Sequence, residues 1–265
     1  MIHTAVTTET HSYELTFAER VRGRVASALP GNLAVRLDDR PICSFTFDDC
    51  PTSALTNAGG MLESAGVAGT FFISAGLAKQ DSAADDPLMR GDDIVRACSA
   101  GHEIGCHTYD HAHLPQVTRA EVQRTLDENV REIRQVLPDA ELSSFAYPYG
   151  EVSVASKAIV ARRFAIGRGL RPGLNGRLID MTELRAYGIR SASFAEYDVL
   201  HLVRNAAKRH AWLVFVTHDV REEASEWGCT PSQFAFVLDA VRAAGIEILP
   251  LRAAVGRVTH RTPRD

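Results

Sequence analysis

From about residue 41 to residue 250, short apolar runs alternate with amphipathic segments. "PICSFTF" precedes "SALTNAGGMLESAG", and "AGTFFISAG" precedes "GDDIVRACSAG". "HEIGCHT" leads into "TRAEVQRTLDENVREIRQVLP", "SSFAYPYG" into "SVASKAIVARR", and "FAIGRG" follows. "YDVLHLVRNAAKRH", "AWLVFVTHD", "TPSQFAFVLDAVRAAG" and "IEILPL" complete the series. Alternation of strand and helix implies a mostly parallel sheet covered by helices. At 265 residues, one closed or nearly closed barrel is the natural candidate. The longest helix has its own signals. Thr118 and Glu121 form a capping box, and Val122, Leu126, Val130, Ile133 and Leu137 give a stripe at helical spacing. Gly66 and Gly101 read as helix stops and Thr230 as a cap. Residues 1–40 stand outside the alternation. Their "FAERVRGRVASAL" reads as a helix or arm packed on the outside, serving packing or contact with a second copy in a homo-oligomer. The expected division is an extension over 1–40, a main domain over 41–258 and a tail over 259–265.

Several function classes are excluded. The net charge of −4 and the lack of a Lys/Arg run offer nothing to nucleic acid. No apolar segment is long enough to span a bilayer. The N-terminus lacks a basic stretch followed by an apolar core, so no secretory signal is expected. The 5 cysteines are odd in number and contain no C-x-x-C pair, which fits a reducing cytoplasm.

Polar residues gather where the strands end. Asp48 and Asp49 end the first strand, His107 and His111 follow another, Pro148-Tyr149-Gly150 a third, and His218-Asp219 a fourth. Strand interiors disfavour Asp, and adjacent carboxylates repel unless a positive charge lies nearby. Taken alone, the pair also reads as a helix cap before Pro51. In barrels, however, the C-terminal strand ends form one rim that carries the site. In "HTYDH" the flanks indicate a loop from which both imidazoles reach one ion. Two His and an Asp from another strand end make three ligands. That set leaves a fourth position for water, as in catalytic zinc sites; it also suits non-haem iron.

"TFDDCP", "HTYDH", "FAYPYG" and "LVFVTHD", in this order, resemble the polysaccharide deacetylases of the NodB-homology type, carbohydrate esterase family four. The resemblance covers about residues 41–255. It implies a distorted, incomplete (β/α) barrel, TIM-barrel-like with about seven strands. It implies removal of acetyl groups from an N-acetylated carbohydrate with a divalent metal, zinc first, with cobalt, nickel or manganese as alternatives. By resemblance, Asp48 is the general base, and Asp49, His107 and His111 are the metal ligands. Thr108 shapes their loop. Tyr149 offers a backbone N–H to the oxyanion, and His218 is the general acid. Pro148, Tyr149 and Trp227 are placed at the substrate.

The chain departs from the pattern at three points. Cys50 stands where Gly is usual. Ala146 stands where an Arg tunes the base, and Arg168 at the next strand end is expected to replace it. The aspartate that orients the acid histidine has no clear match; Asp180 and Asp198 are the candidates, while Asp219 either positions His218 or caps a turn. Cys106 is expected to pack on the opposite face from His107, and Cys50 to act as a small filler. His113 is the remaining histidine nearest to lining the site. Asp85 to Pro87 reads as a solvated turn. The alternatives to a cytoplasmic deacetylase are a hydrolase of small cyclic amides or imides and a non-catalytic carbohydrate-binding relative.

Overall fold

A computed structural model describes residues 16–36, 39–80 and 85–260. Its strands are β1 (Leu33–Arg36), β2 (Ile42–Asp48), β3 (Thr70–Ile73), β4 (Glu103–Cys106), β5 (Ser144–Ala146), β6 (Ile166–Arg168), β7 (Leu178–Asp180), β8 (Tyr187–Gly188), β9 (Trp212–Thr217), β10 (Glu247–Ile248) and β11 (Val258–His260). The main sheet runs β6-β5-β4-β3-β2-β9-β8, all parallel. β10 pairs with the first residues of β2. Between the outer strands, a parallel bridge joins Arg168 to Leu184 just before β8. The result is the distorted, incomplete barrel expected.

Alternation along β2 decides which side chains enter the barrel. Cys43, Phe45 and Phe47 face outward into a core shared with the covering helices. Phe47 stacks on Phe71 at 4.5 Å between ring centroids, and Phe45 packs on Phe234 at 5.3 Å. Burying each such ring contributes roughly 1.5–3 kcal/mol. Ile42 faces the interior cluster with Trp212, Val214 and Val216 of β9. The same parity carries on to Asp48 in β2 and to His218 just past β9. Cys106 lies in the outer cluster against Asn129, away from His107.

The helices follow their signals. α1 (Phe17–Ala28) belongs to the N-terminal extension. The expected helix after β2 begins as a π-helix over Ala54–Gly59 and continues as α2 (Gly60–Ser64). Then come α3 (Ala75–Gln80), α4 (Gly91–Ser99), α5 (Arg119–Val136), α6 (Val154–Arg163), α7 (Glu196–Lys208), α8 (Pro231–Ala243) and α9 (Leu251–Val255). The capping boxes at Thr118 and Thr230 are both made. Asp86 is not merely solvated: its carboxylate accepts from Thr52, from the Ser53 N–H and from the Ser53 hydroxyl, clasping the chain after β2.

"IEILPL" is not the last strand. β11 follows, and β1 lies between β11 and β7 in a separate antiparallel sheet. α1 is fastened to the barrel by Lys157 of α6. The buried ammonium donates to the carbonyls of Ala26 (3.2 Å) and Leu29 (2.9 Å) at the end of α1, and to Asp180 (2.8 Å) and Glu183 (3.1 Å). A cation at a helix C-terminus also complements the helix dipole. Residues 1–15 of the extension and 261–265 of the tail lie outside the described residues.

Candidate metal centre

The expected residues converge on the C-terminal rim. Asp49 follows β2, and His107 and His111 lie in the loop after β4, as expected for a loop rather than a helix. The ligand atoms of these three residues all lie within 4.8 Å of one another. Asp49 Oδ1 is 3.7 Å from His107 Nε2 and 3.5 Å from His111 Nε2. It is buried and has no hydrogen-bond partner. A tetrahedral ion with bonds of about 2.0–2.2 Å sets its ligands about 3.3–3.6 Å apart, close to the two Asp49–His separations, so Asp49 and either ring can share such an ion.

Neighbouring groups fix the ligands. His107 Nδ1 is 2.9 Å from the Ala146 carbonyl, which makes Nδ1 the donor and leaves the Nε2 lone pair free. Burial lowers the His107 pKa to about 3 and that of His111 to about 4, so both rings are neutral at pH 7, as ligation requires. Burial raises Asp49 to about 6, and the charge of Asp48 adds to this against the opposing pull of His218. A bound cation reverses that direction.

The loops take unusual backbone conformations. Of the 6 non-glycine residues with positive φ among the described residues, Asp49 (55°), Cys50 (55°), Thr108 (62°), His111 (51°) and Tyr149 (57°) all belong to this rim. Strain of this kind concentrates at functional sites. Cys50 thus occupies a left-handed position that favours Gly, and its buried thiol donates to the carbonyls of Phe47 and Phe72. The Thr108 hydroxyl accepts from the Ala112 N–H and ties the His107–His111 loop across itself.

Asp48 is buried inside the barrel, and Arg168 ion-pairs with it from the end of β6. Burial alone raises the Asp48 pKa. Arg168, with His107 and His218, outweighs that and holds the carboxyl below its ordinary value. The guanidinium also lies over the Phe72 ring, 5.3 Å from its centroid. Gly105 makes room for that ring: a Cβ there would come within 2.5 Å of it. Arg168 Nε and Nη1 are buried without partners.

His218 Nδ1 is 3.6 Å from Asp49 Oδ2, so the two oxygens of Asp49 face different groups. Among the described residues, none of the three orienting candidates, Asp180, Asp198 and Asp219, pairs with the His218 ring; the carboxylate that faces it is Asp49. Asp180 is held by Lys157 and Thr182. Asp198 lines a separate cavity between α7 and β8. Asp219 accepts from Ser225 and Arg221, closing its own turn. Trp227, 41% exposed, stands 6.2 Å from His218, and Arg190 lies 4.3 Å over its face. Arg190 follows the two-residue β8, which has no readable periodicity; the strand-end rule would have flagged it had that strand been visible. On the other side, the Tyr149 ring stacks on His113 at 3.9 Å and meets His111 edge-on at 4.4 Å. Pro148 is buried at the base of that turn. A cleft of about 400 Å³ opens over Asp49 and His218, with Pro51, Leu77 and Leu88 in its walls.

Four of the five thiols are buried. Burial pushes Cys106 up to about 11 and Cys229 to about 12, and raises Cys43 and Cys50 well above the ordinary range. Cys98 is exposed. Iodoacetamide at neutral pH on the native protein is therefore expected to give one rapid adduct by mass spectrometry, at Cys98. A second rapid adduct would contradict the burial described.

Residues 37–163 match the polysaccharide deacetylase family. A chitooligosaccharide deacetylase of Sinorhizobium fredii is 33% identical over 111 residues, covering 42% of this chain and 47% of that protein. The chain thus spans about half the length of that curated relative. The fold is similar to an acetyl xylan esterase of carbohydrate esterase family four from Clostridium thermocellum, solved with cobalt (TM-score 0.55, 16% identity, 81% of this chain and 90% of that one). It is equally similar to a pseudoenzyme of the same family from Bacillus anthracis (TM-score 0.54, 14% identity, 81% of this chain and 65% of that one). The fold is common to active and inactive proteins, so activity has to be argued from the side chains.

Proposed function

Since its residues 37–163 match the polysaccharide deacetylase family, we propose that this chain is a metal-dependent hydrolase that removes N-acetyl groups from a carbohydrate. One observation carries the reading: the buried, unpartnered Asp49 Oδ1 faces the free nitrogens of two neutral histidines. Asp49, His107 and His111 would hold a divalent ion, zinc first. When bound, such an ion polarises a carbonyl and makes water a competent nucleophile near neutral pH.

The chain's own residues supply the rest. Asp48, kept charged by Arg168, takes a proton from the attacking water as general base. His218 lies on the other side of Asp49 and donates a proton to the departing amine. Without that proton the amine is a poor leaving group. The Tyr149 backbone N–H is assigned to the developing oxyanion, a contribution of about 3 kcal/mol in other hydrolases. Trp227 and Tyr149, both partly exposed, offer aromatic faces to the sugar.

All 5 cysteines are free, which supports action in a reducing compartment and a cytoplasmic oligosaccharide as substrate. Among the described residues no helix is long and apolar enough to cross a membrane.

The test is metal content and acetate release for the wild type and His107→Ala. Near one equivalent of a divalent ion and acetate release from N-acetylglucosamine oligomers are expected in the wild type. Both should fall in the variant, acetate release by at least about 10³-fold, since the activated nucleophile is lost. A wild type that takes up no ion after reconstitution would sink the mechanism. Metal without acetate release would direct the search to small cyclic amides.

A further inference from the structure

α1 does more than cover the barrel. A cavity of about 520 Å³ lies between α1 and the rim, lined by Arg20, Gly23, Arg24 and Ser27 on one side and by Tyr149 and Arg171 on the other. Tyr149 is the ring that stacks on His113 and touches His111. One aromatic side chain therefore separates this cavity from the metal ligands.

The charges in the cavity are unevenly matched. Its carboxylates are engaged: Glu19 accepts the Thr16 N–H and hydroxyl in the α1 capping box, and Glu151 is 2.9 Å from His113 Nδ1. Arg171 uses one nitrogen on the Ser27 carbonyl at 3.1 Å. The guanidinium groups of Arg20 and Arg24 make no ion pair or hydrogen bond among the described residues. They sit four residues apart, a like-charge spacing that slightly destabilises a helix. Nothing in the packing of α1 needs them, because Lys157 and Arg171 do the docking. Unpaired guanidinium forks beside a cavity suit carboxylate or phosphate oxygens.

We propose that this cavity is a subsite for an anionic group, a carboxylate or a phosphate, carried by a sugar next to the one deacetylated. The assignment rests on the deacetylase reading for the identity of the neighbouring sugar. Arg20, Arg24 and Arg171 are its specificity-determining residues.

Calorimetric titration of the purified full chain tests it with three probes. They are a neutral N-acetylglucosamine tetramer, a phosphorylated tetramer, and a tetrasaccharide alternating N-acetylglucosamine with glucuronic acid. At least one anionic probe is expected to bind about tenfold tighter than the neutral one, the scale of one or two charge-assisted hydrogen bonds. Whichever anionic probe gains tells carboxylate from phosphate. In Arg20→Gln/Arg24→Gln the preference should collapse to within about twofold, with no loss of thermal stability, since a repulsive pair is removed. Arg22→Gln, on the same helix but outside the cavity lining, should keep the preference and so exclude a general charge effect. Equal binding of all three probes overturns the proposal, as does a preference that survives the double substitution. Acetate release is scored separately: an arginine-dependent preference without turnover supports the subsite while removing the deacetylase reading.

Discussion

Arg168→Met is expected to destabilise the protein by about 3–5 kcal/mol, because it leaves the Asp48 carboxylate buried without its cation. In a domain of this size that corresponds to a fall in Tm of roughly 6–20 °C. The rate profile should change with it. Arg168 holds Asp48 below its ordinary pKa against the effect of burial. Without the guanidinium, burial dominates, the base is protonated over a wider range, and the acid limb of kcat/KM moves to higher pH. The pair is also an imperfect one, since two guanidinium nitrogens have no partner. Asp48→Asn combined with Arg168→Met should therefore recover most of the lost stability while turnover stays abolished. Thermal melts and pH–rate profiles of the single and double variants check this. A single variant with unchanged kcat and an unchanged acid limb would remove Arg168 from the site.

Lys157→Met is expected to be similarly costly, about 3–5 kcal/mol, by leaving two carboxylates facing each other without a cation. Its effect should be localised by hydrogen exchange to α1, whose last carbonyls lose their donor. The pH dependence has a definite sign. Burial raises Asp180, but Lys157 and Thr182 outweigh it and hold the carboxyl below its usual range. A depressed carboxyl stabilises the fold fully above its unfolded pKa of about 3.9 and loses that contribution as pH falls through the lower folded value. The gap between wild type and variant should be widest near neutrality and narrow in acid. A gap that widened on acidification would contradict the pairing.

The readable parts of the sequence were those with strong periodicity or fixed topology. The rule that strand ends share a rim places Asp48, His107, Arg168 and His218, and alternation along β2 and β9 explains why Asp48 and His218 point inward. Arg168 could be placed from its position alone because β6 lies beside β5, where Ala146 replaces the usual arginine. β1, β7, β8 and β11 were not legible. Strands of two to four residues place at most two side chains on each face, too few to show a period. Arg190 was missed for that reason. The Lys157 cluster was missed because its four acceptors come from α1, β7 and the segment after it, distant in sequence and joined only by packing. Among the described residues the carboxylate that faces His218 is Asp49, while Asp180 and Asp219 are held by other groups and Asp198 lines another cavity.

The position of β1 has a consequence for how the chain is made. It pairs with β11, near the far end of the described residues. During synthesis the N-terminal part emerges first, yet one of its two strand partners emerges among the last. The three-stranded sheet therefore closes only after the barrel strands are available. Contacts so distant in sequence are slow to form. α1, and with it the arginine-lined wall beside Tyr149, is held by Lys157 and Arg171, which emerge well before β11, so it is β1 rather than α1 that waits for the end of the chain. A nascent chain stalled before β11 should carry a formed barrel with α1 docked on it but an unfinished three-stranded sheet.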